Sequence, residues 1–279
     1  MRLSRIKASI SCPKGRWKGT EMTNRITKRP TADISRRAVA LIAGIGLLVM
    51  VVLAPFALFG VLQNLVVPTD AAATVENIIA SEGLFRIGIA AFLIVIVLDV
   101  VVAGALYVLL RPVNRTLALL TAWLRLAFAA VFASALVNLL DVAQLLGSAE
   151  QSALQGEQLQ AQVMSSIASF DNGWIVIAHA IFGLHLLGLG ALLFSSADFP
   201  RFLGVLVVIA GGGYLVDSFT RILVPDFVFT FSVFTFVGEA LLIVWLFYRA
   251  IKGFAPESES PDGQVTDPGL VQPAPVDAP

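Results

Sequence analysis

One carboxylate in the middle of a membrane-length apolar run constrains this chain more than any other feature. From Ile87 to Leu110 every residue except Asp99 is uncharged, and most are apolar. About 20 such residues span a bilayer as a helix rising 1.5 Å per residue, which puts Asp99 near the midplane. An ionised carboxylate there costs roughly 2.5–3.5 kcal/mol on insertion scales, so it is expected to face other helices and to have a partner. After the basic turn Arg111-Pro112-Val113-Asn114-Arg115, the next apolar run carries Arg125, the nearest candidate in sequence. Hydrophobic residues make up 57% of the chain and charged ones 14%. That balance, arranged in membrane-length blocks, excludes an ordinary soluble core.

The blocks predict an all-α integral membrane bundle of six transmembrane helices, at about 38–62, 84–110, 117–146, 174–195, 202–223 and 229–250. They divide the chain into a basic segment (1–37), a membrane domain (38–253) and an acidic Pro-rich tail (254–279) expected to be disordered. Met22 is an alternative translation start within the basic segment. Residues 1–37 hold eleven bases, and five more fall at Arg111, Arg115, Arg201, Arg249 and Lys252. Arg86, Arg125 and Arg221 lie within helices, and the remaining loops are acidic. Six spans with both termini in the cytoplasm therefore satisfy the positive-inside rule, with the cell (inner) membrane as the expected location. Pro68-Thr69-Asp70 reads as the start of an outer helix over Ala71–Ala80. Leu154, Leu159, Val163 and Ile167 recur at near-helical spacing, which suggests an interfacial helix or a projecting end of the third span. Trp123, Trp245, Tyr107 and Tyr248 near inner ends, and Trp174 near an outer end, suit interfacial belts.

Three ordered blocks carry a family resemblance. They are SEGLFRIGIAAFLIVIVLDVVVAGALYVLLRPVNRTLALLTAWLRL, then FGLHLLGLGALLFSSADFPRFLGVLVVIAGGGYLVDSF, then GEALLIVWLFYRAIKG. Together they resemble the DUF4386 family of uncharacterised bacterial multi-pass membrane proteins, over roughly residues 36–253. The resemblance implies a six-helix membrane domain, no established activity and no assigned site.

Placing each span by its orientation sorts the intramembrane polar groups into two layers. Arg86, Asn138, Asp141, His179, Asp217 and Arg221 fall near the outer face, and Asp99, Arg125, His185 and Glu239 fall deeper. Three arginines against four carboxylates nearly cancel, as expected of groups that pair in low dielectric. Asp217 and Arg221, four apart, share a helix face and can bridge. Either these residues form a structural network or they line a site for a small polar ligand, an ion or a proton. His179 and His185 are six apart, about 120° out of alignment around a helix, which makes neither a zinc pair nor a haem site. The glycines of the fourth and fifth spans read as packing positions rather than a phosphate loop. One cysteine, Cys12, allows no internal disulfide. No nucleophile motif is present, and neither a cofactor nor nucleic acid is expected; the expected partners are the lipid bilayer and a small polar ligand. Function thus divides between small-solute or proton-linked transport or binding, and a non-catalytic sensor or assembly factor with a purely structural polar layer.

Overall fold

The computed structural model describes residues 35–147, 156–224 and 237–254. Among them the chain forms helices α1 (Arg36–Leu65), α2 (Ala71–Ala80), α3 (Glu82–Leu110), α4 (Arg115–Gly147), α5 (Glu157–Ser195), α6 (Arg201–Leu223) and α7 (Val237–Lys252). Five of these, α1 and α3 to α6, are long and apolar enough to cross a membrane. The expected sixth span overlaps α7, but its stretch before Val237 lies outside the described residues. So do the basic N-terminal segment with Met22 and the acidic tail. Large apolar side chains cover the outward faces, among them Val52 and Ile45 of α1, Val97 and Leu93 of α3, and Ile209 and Phe219 of α6, all about half exposed or more. Such a surface belongs in lipid, because soluble proteins keep exposed apolar patches small.

The long helices close a ring. α1 packs on α3 and α7, α3 on α4, α4 on α5, α5 on α6, and α6 on α7. The α5–α6 seam is the tightest of these contacts, and glycine makes it so. A Cβ on Gly183 would stand 2.8 Å from the carbonyl oxygen of Gly211, and one on Gly190 would stand 2.7 Å from that of Gly204. Each pair on a helix is seven residues apart, two turns on one face, so two antiparallel backbones meet without side chains between them.

α2 begins as expected, with the Asp70 carboxylate accepting the Ala73 N–H at 2.9 Å. The segment before the fourth span is neither an interfacial helix nor an end of the third. It is the first part of α5, and Leu159, Val163, Ile167 and Phe170 bury one face of it, largely against α4. At about 1.5 Å per residue the 39-residue α5 runs to about 58 Å, so it projects well beyond a hydrocarbon core about 30 Å thick. Two wide π turns interrupt the ring. One spans Asn172–Ala178 in α5, where Gly173 lets the backbone approach Ala135. The other spans Phe56–Leu62, after Pro55 removes a helical N–H from α1. Asn64 Nδ2 donates to the carbonyls of Phe59 and Gly60 at 3.1 and 3.0 Å in that turn.

At the end of the ring holding the start of α1, one acid gathers three elements. Asp198, in the α5–α6 turn, accepts from Arg36 at 2.9 Å and from Arg249 of α7, and its carbonyl accepts from Trp245 Nε1 at 3.0 Å. Both guanidinium groups stack on Phe254, at 4.5 and 4.9 Å from the ring centroid.

Candidate functional site

Where the ring does not fill its own centre, it leaves a cavity of about 530 Å³. Its wall is mostly aliphatic and aromatic, drawn from α1, α3, α4, α5, α6 and α7. Asp99, Arg125, His179, Tyr214, Asp217, Arg221 and Glu239 supply its polar groups. Gln63 and Arg221, both exposed, mark where it reaches the surface, at the end opposite Asp198. The π turns of α1 and α5 both flank it, through Pro55, Leu58 and Phe59 on one side and Trp174 and Ile175 on the other.

The deepest charges are Asp99 of α3 and Arg125 of α4, 2.7 Å apart and with side chains 0% and 2% exposed. Arg125 has partners at both terminal nitrogens, while its buried Nε has none. Its Nη1 lies 3.2 Å from His185 Nε2, its Nη2 reaches Met50 Sδ at 3.9 Å, and its guanidinium stands 5.5 Å from the Phe182 ring centroid. His185 Nδ1 is 2.8 Å from the Thr121 carbonyl, which can only accept. The proton therefore sits on Nδ1, and Nε2 accepts from Arg125. Asp99 is less well served, because Oδ2 has no hydrogen-bond partner and Oδ1 meets Arg125 at ion-pair distance without good alignment.

Glu239 stands across the cavity on α7, where Gly238 lets the backbone close on Leu206 of α6. Glu239 interacts with Tyr214, but its Oε1 is buried with no hydrogen-bond partner. His179 lies between the rings of Trp174 and Tyr214, at 5.5 and 5.1 Å, and within Coulombic range of Arg221 and Asp217.

Two of the expected network residues lie elsewhere. Arg86 pairs with Glu82 at 2.8 Å on an exposed face of α3, and Asp141 is exposed on α4. The reason is rotational. Arg86 lies thirteen residues before Asp99, about 220° around α3, and Asp141 lies sixteen after Arg125, about 160° around α4. An expected depth shared with the other polar groups did not put them on the inner face. Trp174 also departs from expectation. It is 6% exposed and stacks on Phe132 at 5.0 Å, beside Phe92 and Phe170, whereas Trp123 and Tyr248 do face outward.

Sequence reasoning passed over two features. The aromatic wall was legible as a stripe, since Phe128 and Phe132 follow Arg125 at three and seven residues on one face of α4. Asp198 stood out as the acid of a short turn that ends at Arg201. Among the described residues no three His, Cys, Asp or Glu side chains are grouped to hold a metal ion.

No solved structure matches the chain. An uncharacterised protein of Archaeoglobus fulgidus is 34% identical over 159 residues, covering 57% of this chain and 81% of the relative. The match to the family described as Domain of unknown function (DUF4386) extends over residues 42–250, three quarters of the chain, and so the protein belongs to the DUF4386 family.

Proposed function

We propose that this protein binds a small molecule inside the membrane, as a carrier or receptor for that solute, through the cavity at the centre of its helix ring. The cavity itself carries the reading. About 530 Å³ falls within the range of small-molecule sites, and the wall combines apolar and aromatic surface with a few convergent charged groups. Helix packing alone does not call for such a void, since an unfilled interior forfeits contacts on every side. In this proposal six helices cross the cell membrane with both ends in the cytoplasm, which sets the mouth at Arg221 outward and the Asp198 cluster inward. Closure on the cytoplasmic side with access from the outside is one half of an alternating-access cycle, in which proton-linked or solute transport would run through Glu239 and the Asp99–Arg125 pair.

Thermal unfolding of the detergent-purified full chain, against a library of small amphiphiles and metabolites, tests the reading. A ligand of the native state raises apparent stability by mass action. The expected result is a concentration-dependent shift that disappears in Val51→Trp, which fills the cavity from α1. A library without any stabilising compound would sink it. Reporter fusions at the α3–α4 and α2–α3 turns check the orientation.

A second reading keeps the polar layer structural, in a sensor or assembly factor. It is favoured by the partners that Arg125 already has within the protein, Asp99, His185, Met50 and Phe182. Asp99→Asn separates the two, because a variant that folds but loses its phenotype supports the binding role.

A further inference from the structure

The charges and rings around the cavity point to the class of ligand. Among the described residues that line it are three carboxylates, Asp99, Asp217 and Glu239, and two guanidinium groups, Arg125 and Arg221. Asp171 adds a fourth acid within Coulombic range of Arg221. The surplus is negative, and Glu239 is where it is least compensated. Its Oε1 is buried and lacks a hydrogen bond. Arg125 is the base that acts on it, but only through space, because no guanidinium N–H reaches Oε1. Arg221 is exposed at the mouth. A buried carboxylate oxygen without a donor is costly unless something supplies one. The walls favour the same sign of ligand. The rings of Phe128, Phe182, Trp174 and Tyr214 line the space, and aromatic faces carry negative quadrupole that attracts cations. Phe182 already receives one, Arg125.

We propose that the cavity takes a lipophilic ammonium, an apolar body seated among these rings with a single protonated amine directed at Glu239 and Tyr214. This rests on the cavity being a binding site and adds the charge of what it binds. An anion of the same shape would meet surplus carboxylates and ring faces of the same sign, and a neutral analogue would leave Oε1 without a charged donor. A protonated amine forms a charge-assisted hydrogen bond, about twice as strong as a neutral one.

The test uses three probes of one shape, 4-phenylbutylamine, 4-phenylbutanol and 4-phenylbutyrate, titrated into the full chain in a non-ionic detergent while the unfolding temperature is followed. The expected result is that the amine stabilises wild type at concentrations about tenfold or more below the alcohol, with the acid weakest. In Glu239→Gln the amine should lose that preference. Should Glu239→Gln fail to fold, Tyr214→Phe should weaken the amine several-fold while leaving the alcohol unchanged, and the comparison of probes on wild type decides without any variant. If the acid or the alcohol stabilises wild type as strongly as the amine, the ammonium assignment is overturned while the binding site stands. Silence from all three probes also overturns the assignment. The wider library then reads separately whether the cavity binds anything.

Discussion

Replacing Arg125 by Met leaves Asp99 with nothing to answer it. The guanidinium is 2.7 Å from Oδ1, the carboxylate side chain is fully buried, and neither oxygen makes another hydrogen bond. Removing one partner of a buried pair costs about 3–5 kcal/mol in soluble proteins. In a membrane the separated helices stay in lipid and find other partners, so the expected loss for Arg125→Met is about 2–4 kcal/mol. Asp99→Leu should cost less, about 1–3 kcal/mol, because His185, Met50 and Phe182 still hold the arginine. The double variant Asp99→Leu/Arg125→Met exchanges the pair for apolar volume and should return to within about 1 kcal/mol of wild type. Unfolding in mixed micelles with increasing dodecyl sulfate, followed by helicity and by tryptophan emission, measures all four corners of the cycle. Trp174, stacked in the aromatic wall, makes the emission sensitive to this region. A double variant as unstable as the two single losses added together would refute the pairing, since residues in contact are non-additive by about 0.5–3 kcal/mol. The same double variant also separates fold from function, for a stable protein that no longer shows ligand-dependent stabilisation assigns the pair to the binding site.

Three further outcomes follow from the packing and the charges. Gly190→Ala or Gly211→Ala should destabilise by about 1–3 kcal/mol, because the new Cβ would sit 2.7 Å from a carbonyl oxygen of the facing helix. Gly212→Ala, which meets nothing within 4 Å, should be neutral or stabilising by about 0.5–1 kcal/mol, and the same unfolding assay compares the three. Asp198→Asn removes the shared counter-charge of Arg36 and Arg249 and should cost about 1–3 kcal/mol, read as a lowered thermal midpoint. Glu82→Gln should change stability by no more than about 0.5 kcal/mol in that assay, because its pair with Arg86 is about half exposed.

Much of the fold was legible because lipid imposes length on apolar segments. The runs around Asp99 and Arg125 became α3 and α4 within a few residues of the expected bounds. The polar groups were sorted by expected depth and the rotation of each helix was not used, and this is why Arg86 and Asp141 were grouped with residues they do not face. Counting at about 100° per residue from Asp99 or Arg125 sends both to the far side. The first part of α5 was misread for a different reason. Its stripe of Leu159, Val163 and Ile167 is interrupted by a run of polar residues before Trp174, and only the π turn at Asn172–Ala178 keeps the two stretches in one helix with both buried faces toward α4. No period in the sequence announces a turn that exists to correct the phase. The cavity is of the same kind, since it arises from six helices failing to meet at one axis and no single stretch encodes it.

The knot at Asp198 also bears on how the domain is made. α1 touches α3 and α7, and α6 touches α7, so during synthesis the assembly is an open arc until the last helix arrives. Arg36 can find Asp198 once α5 and α6 are in place, but the carboxylate's second oxygen waits for Arg249. For that interval the future cavity has no α7 wall, and lipid tails have free entry to it. Docking of α7 both closes the arc and delivers Glu239, so the carboxylate meets the cavity only when the cavity becomes enclosed. A ribosome-bound chain ending before Val237 should accordingly be cleaved by added protease faster than the full chain.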